Sequence, residues 1–133
     1  MLTAVGLGPG DAELLTLKAV RLLQEADTVF VPGGIASDLV KPYCENIVTL
    51  DFPMTRDEAE ISRCMEENAE KILPAAKNGS AVFGLIGDPN YYSTFSRLAE
   101  AVRRLDSSVV VETIPGISSI TAVASHAKIP VNG

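Results

Sequence analysis

The sequence is short of cysteine, histidine, positive charge and long apolar runs, and each shortage excludes a class of protein. Two cysteines in 133 residues, Cys44 and Cys64, are too few for a disulfide framework. A reduced, cytoplasmic protein is therefore expected. The single histidine, His126, stands near a predicted helix end, where a capping or surface role is expected of it rather than catalysis. Eleven basic against seventeen acidic residues leave a net charge of −6, which argues against a nucleic-acid backbone as the main partner. A small anionic ligand stays open, because one well-placed arginine can hold it. No apolar run approaches the length of a membrane span. The opening residues lack the basic start of a secretory leader, and Gly6, Gly8, Pro9 and Gly10 interrupt their apolar run. There is no internal repeat and no low-complexity linker.

What is present is ordinary globular composition, 47% hydrophobic and 21% charged, able to bury a core without covalent staples. The length fits one domain. Asn132 and Gly133 follow directly on Ile129-Pro130-Val131, which reads as a lead-in to further chain, so a piece of a longer protein is expected.

Short apolar runs alternate with helical stretches. Met1–Leu7 reads as a buried strand ending in glycines. Leu14–Ala26 reads as a helix, with Thr16 capping its regular part and Asp11 capping a preceding turn. Thr28–Val31 is a strand stopped by Pro32-Gly33-Gly34, and Ile47–Leu50 is a weaker one. Thr55 and Glu58 stand in capping-box spacing before Ile61, Met65, Ala69, Ile72 and Leu73, and Pro74 is expected to end or kink that helix. Ser80–Ile86 carries almost no polar residue and is expected at the centre of a sheet. A helix over Ser93–Leu105, a strand over Val109–Ile114 and a helix over Ile117–Ala127 complete the order. Alternation of this kind needs crossover connections, hence an α/β fold with a mostly parallel sheet and helices on both faces.

In such sheets ligands sit outside the carboxyl ends of the strands. That selects three turns: Gly6-Leu7-Gly8-Pro9-Gly10-Asp11, Gly87-Asp88-Pro89-Asn90 and Pro115-Gly116-Ile117-Ser118-Ser119. The first fails as a dinucleotide fingerprint, because Asp11 holds the third glycine position and Pro9 has no N–H for a phosphate. Asp88 can accept hydrogen bonds from hydroxyl or ammonium groups, or bond its own backbone. Ser118 and Ser119 make a polar nook at a helix start, or Ser118 simply caps that helix. Each turn is weak alone, but their equivalent places in one sheet favour a ligand.

These three turns, with Leu14-Leu15-Thr16-Leu17-Lys18-Ala19 and Ala26-Asp27-Thr28-Val29, resemble the tetrapyrrole methylase family in order and spacing. Within it, Leu50-Asp51-Phe52-Pro53-Met54-Thr55 and the run from Gly87 to Thr94 most resemble the C20-methyltransferases of precorrin-2 or cobalt-factor II in cobalamin biosynthesis. The alternatives are another precorrin methyltransferase, a diphthine synthase, or an isolated domain without catalysis. The resemblance implies S-adenosyl-L-methionine as cofactor, held by Pro9, Ile86, Gly87, Asp88, Tyr91, Ser118 and Ser119. It implies a homodimer, a tetrapyrrole substrate, and two α/β domains with the cofactor between them. Residues 1–133 correspond to the first of these, so weak or absent cofactor binding by this chain alone is expected. The substrate's carboxylates call for arginine; Arg56 is the first candidate and Arg97 the second. Pro32 stands where some relatives carry an acidic proton acceptor, which leaves the catalytic base unassigned. No nucleophile is needed, and Cys44 and Cys64 are expected to be incidental. The glutamates on the helix after Thr55 lack a histidine partner and read as a solvated face, so no metal is expected.

Overall fold

Short β-branched runs separated by helices cannot pair as hairpins, and the computed structural model, which describes residues 1–90 and 94–128, shows the crossovers this demands. Five strands, β1 (Leu2–Gly6), β2 (Thr28–Val31), β3 (Ile47–Thr49), β4 (Ala81–Leu85) and β5 (Val111–Ile114), form one sheet in the order β3-β2-β4-β1-β5. Every pair is parallel. The connections are α1 (Leu17–Glu25), preceded by a 3-10 turn (Ala12–Leu14), then α2 (Gly34–Val40), α3 (Glu58–Asn78) and α4 (Phe95–Leu105); α5 (Ser119–Ala127) follows the last strand. The expected α/β class is the observed one. No helix among the described residues is long and apolar enough to cross a membrane.

Strand position follows from polarity. β4 is central and all five of its residues are buried, as are those of its neighbour β1. Side chains alternate between two cores. On one face Leu2, Ala4, Phe30 and Phe83 pack with Met65, Ile72, Leu98 and Val102 of α3 and α4. On the other, Val5, Val29, Val31 and Val82 pack with Ala19 and Leu23 of α1 and Leu39 and Val40 of α2. Phe83 stacks on Phe95 at 5.8 Å between ring centroids and meets Phe52 edge-on at 6.1 Å.

Three local readings are corrected. The residues after Pro32 do not stay a turn: Ala36, Leu39 and Val40 are buried at helical spacing and make the short helix α2. The capping box is not formed, because Asp57 is the N-cap of α3 and its carboxylate accepts from Ala59 N at 3.0 Å. Thr55 Oγ1 instead accepts from Asp57 N at 3.1 Å, fixing the turn before the cap. A carboxylate suits the positive end of a helix dipole better than a hydroxyl. Finally, of the two outcomes expected at Pro74 the end is not found: α3 runs through it to Asn78, with Gly79 as its C-cap and Ile72 and Ala76 buried on either side of the proline. Thr16 and Asp11 cap as expected, accepting from Ala19 N and Glu13 N.

α3 and α4 lie side by side and parallel, tied at both ends. Arg97 meets Glu58 at 2.8 Å near their starts, and Lys77 meets Asp106 at 3.1 Å near their finishes. Asp106 caps the end of α4. Hydrogen bonds from the Ser108 side chain and backbone, then Lys77, hold its carboxyl well below the usual range, to about 2. A depressed folded-state pKa stabilises the fold above the unfolded value and loses that contribution as pH falls through the folded one. We therefore expect wild-type stability in urea to decline between about pH 4 and pH 2. Asp106→Asn should start lower at neutral pH and flatten the profile within that window.

Candidate functional site at the strand carboxyl ends

Because β1 lies between β4 and β5, the three glycine-bearing turns emerge side by side. Their approach is closer than side chains would allow. A Cβ on Gly6 would stand 2.6 Å from both Gly116 N and Gly87 O, and one on Gly116 would stand 2.4 Å from Gly87 O. The loops after β4 and β5 thus meet backbone to backbone over the end of β1. Gly8 and Gly87, with φ of +75° and +82°, adopt conformations that disfavour L side chains. They pair in antiparallel fashion, Gly87 N donating to Gly8 O at 2.7 Å.

Asp88 joins the outer two loops. Its Oδ1 accepts from Gly116 N at 3.0 Å and its Oδ2 from Asn90 N at 2.9 Å. The self-bonding reading of Asp88 is therefore realised, together with a cross-loop bond that spacing did not disclose. A carboxylate has about four acceptor sites, so capacity for a ligand remains.

Among the described residues, a Cβ on Gly87 or Gly10 would meet nothing within 4 Å, although Gly87 itself is buried. Beside Gly87, Ile86 is 37% exposed, and Pro9 is half-buried. Segments 6–11, 86–90 and 115–118 contain no lysine or arginine, while Pro9, Pro89 and Pro115 remove N–H donors. A phosphate would find neither charge nor a dense amide cradle. A cationic, hydroxyl-bearing ligand would find the Asp88 carboxylate, backbone carbonyls and an apolar patch, which fits a sulfonium nucleoside and not a dinucleotide.

The remaining predicted residues are placed differently. Ser118 caps α5, its hydroxyl accepting from Thr121 N at 3.2 Å. Ser119 is the first residue of α5. Tyr91 lies outside the described residues. Arg97 is engaged by Glu58, and Arg56 is exposed in segment 51–57 after β3, which β2 separates from β4. The Cys64 thiol donates to the Asp51 carbonyl at 3.0 Å, and burial and then Glu67 push its pKa up, which makes it a poor nucleophile. Sequence reasoning placed Asn90 in the second turn but gave it no role; its side-chain amide donates to Thr113 Oγ1 at 3.0 Å. Its signal was an amide two residues past the turn aspartate.

A family model described as Tetrapyrrole (Corrin/Porphyrin) Methylases matches residues 1–133. The chain belongs to the tetrapyrrole methylase family. It is 39% identical over 135 residues to a Methanocaldococcus jannaschii protein named probable cobalt-precorrin-2 C(20)-methyltransferase, covering 96% of this chain and 57% of that one. It is 30% identical to the cobalt-precorrin-2 C(20)-methyltransferase of Salmonella typhimurium, covering 98% and 58%. Among solved structures it resembles the uroporphyrin-III C-methyltransferase of Thermus thermophilus in complex with S-adenyl homocysteine. There the TM-score is 0.67 at 29% identity, covering 92% of this chain and 47% of that one. The chain spans a little over half the length of these two curated relatives.

For this tetrapyrrole methylase the backbone contacts dictate a sharp glycine dependence. Gly6→Ala and Gly116→Ala should each cost about 1–3 kcal/mol or more in urea denaturation, since backbone rather than a flexible side chain blocks the new methyl. Gly34→Ala, in open space on the first turn of α2, should be neutral or stabilising by about 0.5–1 kcal/mol.

Proposed function

We propose that this chain forms the cofactor-holding part of an S-adenosyl-L-methionine-dependent C-methyltransferase acting at C20 of precorrin-2 or cobalt-factor II. The observation that carries the reading is the 39% identity to a C(20)-methyltransferase across a chain whose glycine ridge offers a carboxylate and no cation. Alignment to just over half of each relative supports residues 1–133 as the first of two α/β domains. A homodimer and a cytoplasmic setting accompany the same reading.

The bound cofactor supplies a methyl group on a positively charged sulfur, ready for transfer to an electron-rich carbon. The work left to the protein is to hold, align and exclude water. In this reading the Gly87 backbone, where a Cβ would meet no described atom within 4 Å, lets the ligand approach closely. Ile86 and Pro9 supply apolar contact, and Asp88 supplies its remaining acceptor sites to amine or hydroxyl. Tyr91, Ser118 and Ser119 complete the set that the resemblance assigns. Of the two arginines, Arg56 is the better candidate for a substrate carboxylate, because Arg97 already has Glu58.

Amide NMR of the 15N-labelled chain, which registers weak binding, tests this directly. Titration with S-adenosylhomocysteine to millimolar concentration should shift the amides of segments 8–10, 86–90 and 116–118, and NAD should leave them in place. An unperturbed spectrum, an equal response to NAD, or shifts confined to another face would overturn the reading.

A further inference from the structure

Among the described residues, the β4–α4 loop is fastened to the β5 side at two points, and only one of them belongs to a residue the cofactor reading uses. Asp88 reaches Gly116 N at the rim of the sheet. Asn90 reaches Thr113 Oγ1, 3.0 Å away, within β5 itself. Thr113 is in register with Ala4, which faces the α3 and α4 core, so this second bond lies on the sheet's flank. The two fastenings are mechanically one unit. Asp88 Oδ2 accepts from Asn90 N at 2.9 Å, and Pro89 between them has a fixed φ and is buried. The unit bridges two loops whose strands are not neighbours, since β1 stands between them. Strand spacing puts β4 and β5 themselves roughly 9–10 Å apart. Among the described residues, the relative height of their loops would otherwise rest on the Asp88 bond and the glycine contacts.

We propose that Asn90 is a positioning residue: its bond to Thr113 holds Asp88 on Gly116 and so sets the width of the cofactor platform, without Asn90 touching the cofactor. The proposal rests on the cofactor reading for its functional consequence, but its structural half stands on the bonds alone. A hydrogen bond of this kind contributes modestly, so its loss should appear as a change of a few-fold to about tenfold.

The test uses the full chain and four variants, Asn90→Ala, Thr113→Val, Thr113→Ser and Asp88→Asn. Two quantities are read by NMR: amide hydrogen exchange at Gly116 without ligand, and the S-adenosylhomocysteine dissociation constant from amide shifts. Asn90→Ala and Thr113→Val should both speed exchange at Gly116 and weaken the ligand by that factor. Thr113→Ser, which keeps the hydroxyl, should match wild type on both counts. Asp88→Asn, which keeps an acceptor oxygen, should disturb exchange less than it disturbs ligand affinity. Wild-type exchange at Gly116 in both Asn90→Ala and Thr113→Val would overturn the brace. Weaker binding in Asn90→Ala with wild-type behaviour in Thr113→Val would make Asn90 a direct ligand contact and also overturn it. If the wild type gives no response to S-adenosylhomocysteine, the cofactor reading fails, and exchange at Gly116 alone decides whether the brace exists.

Discussion

Three strand ends meet in this protein because Gly6 and Gly116 carry no side chain. The loops after β4 and β5 come from strands that β1 separates, and they touch over its end through Gly87 O and Gly116 N. Any Cβ at Gly6 or Gly116 would fall inside 3 Å of backbone. From this contact follow the positions of Asp88, which reaches Gly116 N, and of Gly87, where a Cβ would meet no described atom within 4 Å. A glycine-built ridge of this kind has no room for long basic side chains and, with its prolines, few spare amides. Its chemistry is that of carbonyls and carboxylate, which welcomes positive charge and hydroxyls and turns away phosphate.

The ridge has a rigid support. β4 and β1 are fully buried strands at the middle of the sheet, and Phe83 on β4 stacks on Phe95 at the start of α4. The loop between them is thus held at its entry by the sheet and at its exit by an aromatic contact. Sites that keep their geometry are built on elements of this kind. The periphery is looser in chemistry as well as in place. The Arg97–Glu58 and Lys77–Asp106 pairs, each with one half-buried partner, align α3 with α4 at their two ends.

Much of this was legible in the sequence, and the reasons differ by residue. Polarity alone placed β4 at the centre, because a strand without polar residues has no solvent face to offer. Thr16 and Asp11 disclosed their caps because capping is local. The helix α2 escaped notice because Pro32-Gly33-Gly34 is a strong stop signal and seven residues carry little periodicity. Thr55 and Glu58 had capping-box spacing, but Asp57 between them competes for the same backbone donors and wins. The three turns could be read from the sequence as equivalent ends of strands. Their fusion could not, since the Asp88–Gly116 and Asn90–Thr113 bonds join residues 28 and 23 positions apart and depend on β1 lying between their strands. Of the residues assigned by resemblance, Ile86, Gly87, Asp88 and Pro9 do stand around one surface, whereas the Ser118 hydroxyl is occupied as a helix cap.

A crystal structure of this chain with S-adenosylhomocysteine would test the central claim most directly, that the glycine contact builds a cofactor platform fastened by Asp88. The ligand should lie against Gly87, Ile86 and Pro9, with the Asp88 carboxylate still bonded to Gly116 N. A ligand lodged elsewhere, or an Asp88 swung away from Gly116, would contradict it.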